Sequence, residues 1–451
     1  MSFSKYEQYR SGGANWVGDI PAHWRVAALR WVARRYAGGT PDKANPAYWS
    51  NGTIPWLNSG SVNQRMITEA SEYITEDAYS NSSARWVPEG ALVMALAGQG
   101  KTKGMVAQLA IRATCNQSMA AIVPAAEVNP RYLYWWLDAQ YQNIRNLAGG
   151  DLRDGLNLDL LGQIPCPLPA KDEQSSISFF LDSETAKIDE LVAEQERLIE
   201  LLDEKRQAVI SHAVTKGLDP TTPTIDLGIP WMGSVPIHWR ATRIKHLARP
   251  GVGGFVDGDW IESPFITTEG VRLLQCGNVG TGVFEEQGFR FVAESTFRQL
   301  KCSEVEPGDV LICRLQSSRT ILAGRACIAP DLGVRMITSV DNCILKPSAE
   351  FDSAYIVYLL STPEYLGYIE DVARGGTRDR VSRSMLGNVV LAVPPLAEQR
   401  QIVDYIRSNT EVTDLLRANS AESIRLLLER RSALISAAVT GQIDVRQLEV
   451  A

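Results

Sequence analysis

Few stretches of this chain carry residue types that could do chemistry. Ala95-Leu-Ala-Gly-Gln-Gly-Lys-Thr102 has the glycines, lysine and threonine of a loop that cradles phosphate with its backbone N–H groups. Such a loop needs glycine where Ala95 stands, and Cys313-Arg-Leu-Gln-Ser-Ser-Arg-Thr320, its counterpart in the repeat described below, lacks the pattern altogether. A surface turn is the better reading. Asn129-Pro-Arg-Tyr132 approaches an Asn-Pro-Pro-Tyr motif of methyl transfer to amino groups. Arg131 breaks it, Asp352-Ser-Ala-Tyr355 replaces it in the second copy, and no glycine-rich cofactor turn stands nearby. Of four histidines, His23 and His238 sit inside Pro-x-His-Trp segments and read as packing or turn residues rather than metal ligands or acid–base groups. No catalytic constellation emerges.

More informative are polar residues on loops at equivalent places in the two copies. One pair of loops carries Asn58, Ser61, Asn63 and Arg65 against Gln275 and Asn278. A second carries Gln99, Lys101 and Lys103 against Arg314, Gln316 and Arg319. Two glycine-rich loops carry Arg153 against Arg374, Arg378 and Arg380. Arg, Lys, Asn and Gln read base edges in the major groove, and Lys and Arg also hold phosphates. Any one of these residues reads equally well as a solvated loop side chain. As a set, on matching loops with unlike residues, they look like two recognition surfaces with different preferences.

The scaffold that positions them is one module written twice. Trp16-Val-Gly-Asp-Ile-Pro-Ala-His-Trp-Arg25 returns as Trp231-Met-Gly-Ser-Val-Pro-Ile-His-Trp-Arg240, offset 215. Val87–Val93 aligns with Val305–Leu311 at offset 218, Tyr132–Leu137 with Tyr355–Leu360 at 223, and Leu161-Gly162 with Leu386-Gly387 at 225. An offset that creeps upward marks a tandem duplication with drifting loops, and a period above 200 residues means duplicated domains rather than a solenoid. Runs such as Ala91–Ala97 and Asp309–Leu315 follow Pro/Gly turns and predict strands. Pro130–Gln140 and Ser353–Leu360 predict short aromatic-rich helices. Each module is therefore a mixed α/β globule.

After each module comes a long helix. From Asp172 to Gly217 the apolar residues Ile177, Leu181, Ile188, Leu191, Leu198, Leu202 and Val209 recur three and four apart, with Glu184, Gln195 and Lys205 at the skipped positions. No Pro or Gly interrupts the run, and its acidic outer face excludes burial all round and a membrane span. It needs a long partner. The segment from Glu398 to Thr440 supplies one, although Thr413, Ser420 and Ser423 weaken its seam. The expected layout is a first module over 1–168, a helix over 169–217, a second module over 218–393 and a second helix over 394–451, the two helices packing on each other.

The 451 residues suit two or three domains with real cores. The formal net charge is −7, but residues 172–217 alone carry −6, so the remainder is almost neutral and free to present basic faces. Seven cysteines, an odd number without CxxC spacing, fit reduced thiols in a cytoplasm. No signal peptide or membrane-spanning run is visible, and a cytoplasmic location is expected.

The motifs together resemble those of type I restriction–modification specificity subunits over essentially the whole chain. They are the Trp-x-Gly-x-Ile-Pro-x-His-Trp opening, at Trp16–Trp24 and with valine for isoleucine at Trp231–Trp239, then Gly375-Gly-Thr-Arg378, Pro394-Pro-Leu-Ala-Glu-Gln399, and the helix end Ala208–Thr215. The first copy departs from the pattern at Asp151-Leu152 and at Lys171-Asp172. The resemblance implies a non-catalytic subunit whose two target-recognition domains each read half of a split, asymmetric site in double-stranded DNA. It implies that the helices pair as an antiparallel coiled coil, act as a spacer and dock two methyltransferase subunits, with two translocase–nuclease subunits joining the full complex. S-adenosylmethionine, ATP and Mg2+ would then belong to the partners, and none to this chain. Two other readings are a methyltransferase-like or nucleotide-binding enzyme using Gly98–Thr102 or Asn129–Tyr132, and a protein-binding scaffold without DNA.

Overall fold

A computed structural model describes residues 3–98, 100–147, 155–316, 322–373 and 380–446. The chain forms two units, Met1–Glu196 with Glu422–Ala451, and Arg197–Ala421. Each holds one module with part of the central helix, Lys171–Lys216, and part of the C-terminal helix, Leu396–Val439.

The two modules share one strand order. In the first, Ala33–Ala37, Met119–Pro124, Leu92–Ala95 and Val106–Leu109 lie side by side and antiparallel, with Met66–Ile67 added in parallel. In the second, Phe255–Asp257, Asn342–Leu345, Val310–Cys313 and Ala326–Ile328 repeat that order. A second sheet places Ile54–Leu57 parallel to Ala113–Cys115, as Val271–Leu274 lies parallel to Met336–Thr338. The runs from Ala91 and Asp309 contain the expected strands, but both faces of each are buried. Leu92 and Met94 point into one core while Val93 and Ala95 point into another, and Val310 and Ile312 part from Leu311 and Cys313 in the same way. Side chains alternate across a strand, so one strand serves two cores.

Pro130–Ala139 forms a helix whose Tyr132 to Leu137 are all buried, and Ser353–Leu359 repeats it. Asn129 and Asp352 cap these helices, each accepting from two backbone N–H groups of the first turn.

The start of each long helix is bolted to its module by the same bonds. Gln174 Oε1 accepts from Asn129 N at 2.8 Å, and Gln174 Nε2 donates to Pro169 O at 2.9 Å. Gln399 accepts from Asp352 N at 2.9 Å and donates to Pro394 O at 2.9 Å. Beside these glutamines, Glu173 accepts from Trp24 Nε1 at 3.1 Å and Tyr6 Oη at 2.7 Å, with His23 Nε2 at 3.0 Å. Glu398 meets Trp239 Nε1 at 3.1 Å and His238 Nε2 at 2.7 Å. The repeated Pro-x-His-Trp and Glu-Gln motifs are two halves of one clamp.

Each helix also ends against a Pro-x-His-Trp segment. Gly217 closes the central helix at φ +75° beside Pro236 and Trp239. Gly441 closes the C-terminal helix at φ +70°, where an added Cβ would stand 2.3 Å from Pro21 Cδ. This left-handed cap excludes a side chain on both counts. Around it Tyr9 Oη donates to Gly441 O at 2.9 Å, Gln442 Nε2 to Asp19 O at 2.8 Å and Asp444 N to Ser4 O at 2.8 Å.

Within each unit the helix segments run antiparallel. Asp189 pairs with Arg431 at 3.0 Å in the first; Asp203 with Arg417 and Arg206 with Asp414, each at 2.9 Å, in the second. The seam differs from the expected one. Ile177, Leu181, Ile188 and Leu202 are buried as anticipated, but Leu191 and Leu198 are exposed, while Val192 and Ile199 turn further inward. Thr185, not Glu184, fills the skipped position. On the C-terminal helix Thr410, Thr413 and Ser420 are buried while Val412, Leu415 and Leu416 face outward.

Candidate nucleic-acid interface

The loop from Leu96 to Met105 joins two antiparallel strands and closes through Gly104 N to Ala95 O at 2.9 Å. It is a hairpin with no helix N-terminus behind it, so the phosphate-cradle pattern has no structural basis. Lys101 is exposed at its tip, with its carbonyl accepting from Tyr141 Oη at 2.6 Å. Lys103 is buried. Asn129 and Tyr132, the remnant of the methyl-transfer motif, have structural partners: Asn129 is the cap described above and Tyr132 Oη donates to Pro167 O at 2.9 Å. Arg131 pairs with Asp182 of the central helix at 2.8 Å.

Among the other residues expected to meet DNA, Asn63 is exposed and donates to Gly60 O at 2.9 Å, while Asn58 caps the same short turn. Ser61 is buried against Ser71. Arg65 is half exposed, with its guanidinium 2.6 Å from Asp189, on the carboxylate that also holds Arg431. Asn278 is 1% exposed, and its Nδ2 donates to Glu285 O and Gln287 O, both at 2.8 Å, which braces the loop. Gln275 caps the turn that Asn278 closes. Gln99, Arg153, Arg319, Arg374 and Arg378 lie outside the described residues.

The second module brings Arg314, Gln316 and Arg380 to one place. Val381 N donates to Arg314 O at 3.0 Å, and Leu315 bridges to Arg380. Arg314 is itself 7% exposed, pointing at Asp257 (3.3 Å) and Val340 O, with Nε buried and unpartnered. Its burial lets it support the loop mouth. Arg380 pairs with Asp341 at 2.9 Å. The first module joins its two loops by the matching bond, Leu156 N to Leu96 O at 2.8 Å.

Sequence reading missed Arg325. Its buried guanidinium donates to Cys276 O at 3.0 Å and Val279 O at 2.6 Å on one recognition loop, and to Leu315 O at 3.0 Å and Leu322 O at 2.8 Å on the other. One cation thus holds both loops by their carbonyls. Also missed was a cleft of about 810 Å3 lined by Lys245, His246, Arg249, Arg314 and Arg383, with Asp257 as its acid. The first module has a smaller one, about 320 Å3, lined by Arg34, Arg35, Tyr36, Arg85 and Trp86. Arg112 lies 4.1 Å over the Trp86 ring and Arg34 5.1 Å over Tyr36. Among the described residues none of Arg30, Arg34, Arg35, Arg85 and Arg112 makes an ion pair.

Residues 21–201 match the family model of the type I restriction modification DNA specificity domain. The StySPI type I restriction enzyme specificity subunit of Salmonella potsdam is 19% identical over 436 residues, 95% of this chain and 91% of its own length. The EcoR124I/EcoR124II specificity subunit of Escherichia coli is 27% identical over 177 residues, which is 37% of this chain and 44% of that relative, so the alignment spans less than half of it. The fold is shared with a chain from a structure of type I R-M complex assembly and conformational transition: TM-score 0.69, 18% identity, covering 93% of this chain and 98% of that one.

Proposed function

We propose that this chain is a type I restriction–modification specificity subunit that binds double-stranded DNA at a two-part asymmetric site, each module reading one half, while the paired helices set the gap and dock methyltransferase subunits. The observation that carries this reading is the contrast between anchor and loop. Both copies keep the same clamp residues, down to Gln174 and Gln399 with matching bonds, yet the loops around Lys101 and Asn63 carry different polar residues from their counterparts around Gln316 and Gln275. A common frame carrying unlike polar loops is what reading two different half-sites requires. Outward-facing Val412, Leu415 and Leu416 support a role of the C-terminal helix in partner docking. On this reading the chain is a non-catalytic subunit. Methyl transfer with S-adenosylmethionine, and ATP- and Mg2+-dependent translocation and cleavage, fall to two methyltransferase and two translocase–nuclease partners.

The test is to express the chain with its methyltransferase in cells lacking other methylation and map modified adenines. A single two-part motif is expected, together with no activity from the purified chain alone. Methylation at contiguous or unrelated sequences, or turnover by the isolated chain, would overturn the proposal.

A further inference from the structure

The two basic clefts share one cation position of the repeat, Arg34 in the first and Arg249 in the second, and Arg30, close by in the chain, matches Lys245 of the second lining. The segment after Trp24 leads to Arg30 and Arg34, and the one after Trp239 leads to Lys245 and Arg249, at the unbroken offset of 215. Each segment lies against the short helix that precedes the last strand of its module. Arg30 Nε donates to Gly162 O at 3.2 Å, and Lys245 Nζ to Asn388 Oδ1 at 2.8 Å. Both copies thus keep a cation at each of these two positions while their recognition loops diverge. Side chains common to both modules cannot be what tells one half-site from the other.

The cations are also short of counter-charge. In the first module Arg35 Nε and Nη1 are buried without an acceptor, and burial, then the neighbouring Arg30, lowers the pKa of Arg35. In the second, Arg249 reaches only Glu306 at 3.4 Å, a carboxylate that Lys346 already holds at 3.1 Å. Arg314 and Arg383 share the single carboxylate of Asp257, at 3.3 and 3.4 Å. Anionic oxygens brought to these clefts would satisfy groups the protein leaves unmet.

We propose that the two clefts are sequence-independent grips for the phosphate backbone of duplex DNA, formed around Arg30 and Arg34 in the first module and Lys245 and Arg249 in the second. This rests on the DNA-binding reading above and adds a division of labour: the clefts hold and the loops discriminate. The second cleft contains Arg314, whose backbone is joined to the segment of Arg380, so grip and loop mouth are contiguous there.

The test uses the full chain with Arg30→Gln, Arg34→Gln, Lys245→Gln and Arg249→Gln combined. All four residues are exposed, and an unchanged thermal unfolding curve checks the fold. Affinity is measured against salt for a duplex carrying the mapped motif and for a scrambled duplex. Each lost contact should flatten the log–log salt slope by about 0.9 and weaken binding about eightfold at 0.1 M salt, equally for both duplexes. The methylated motif in cells should stay the same. An unchanged slope or a loss confined to the motif duplex would each overturn the proposal. If the unaltered chain binds neither duplex, the DNA-binding reading itself falls.

Discussion

Truncating Glu173 to alanine should harm its unit more than truncating Glu398 harms the other, and the difference can be worked from the contacts. Glu173 is 6% exposed and accepts from two buried donors, Trp24 Nε1 and Tyr6 Oη. Glu398 is 23% exposed and accepts from one, Trp239 Nε1. The half-exposed His23 and His238 can turn to water, so they cancel. Stranding a buried donor costs about 1–3 kcal/mol. Glu173→Ala should therefore exceed Glu398→Ala by about that amount, one stranded hydroxyl. Removing a buried charge recovers part of its desolvation in both variants, more so at Glu173, which pulls the difference toward the lower bound. The assay is native-state hydrogen exchange read separately on peptides of each unit, because a two-unit chain need not unfold in one step. Adding Tyr6→Phe to Glu173→Ala removes the stranded hydroxyl and should recover most of the difference. Equal effects of the two truncations, or no recovery with Tyr6→Phe, would refute the reasoning.

Gly441→Ala should destabilise the first unit by more than the roughly 1–2 kcal/mol of a left-handed alanine, because its Cβ also meets Pro21; Gly217→Ala has its nearest neighbour at 3.4 Å and should cost only the conformational part, as denaturant midpoints would reveal. Arg325→Met should blunt methylation at one half-site and leave the other intact, since its four carbonyl contacts all lie in the second module; equal loss at both halves would count against it. Seven residues inserted after Gln195 and after Ser420 lengthen each helix by about 10 Å, and the mapped motif should gain about three base pairs of gap with unchanged half-sites. Full activity on the original gap would rule out a spacer role. The Arg446 hydrogen bond holds the Asp444 carboxyl below its ordinary pKa, so the stability it lends is present above about pH 4 and lost as pH falls through the lower folded value. Asp444→Asn should remove that part of the acid dependence in first-unit exchange.

Local repetition made much of the fold legible. The Pro-x-His-Trp and Glu-Gln motifs stand out because each recurs intact, and the strand runs were located because Gly/Pro turns bound them. That Trp24 reaches Glu173, nearly 150 positions away, is invisible to periodicity. Heptad counting put Leu191 and Leu198 on the seam because leucine is apolar; packing put Val192 and Ile199 there instead, and left leucines outside against a partner helix lined by Thr413 and Ser420. At the interface, residue type located the loops but could not tell a guanidinium facing solvent from one facing a carboxylate. Arg65 and Arg314 each face a carboxylate, Asp189 and Asp257. The clefts escaped because they assemble from segments far apart in the chain, Lys245–Arg249, Arg314 and Arg383.

The first unit takes its C-terminal residues from the far end of the chain: Leu434, Ile435, Ala438 and Val439 share a core with Trp24, Tyr132 and Ile177. During synthesis the ribosome delivers that module first and its closing helix last. At about 5–20 residues per second, the roughly 250 residues between Glu196 and the C-terminus take about 13 to 50 seconds to emerge. Throughout that interval the surface around Tyr132 and Ile177 waits uncovered, whereas the second unit is contiguous and can close as it leaves the exit tunnel. The half made first is the half finished last, and chaperone demand and premature-stop damage should fall on it.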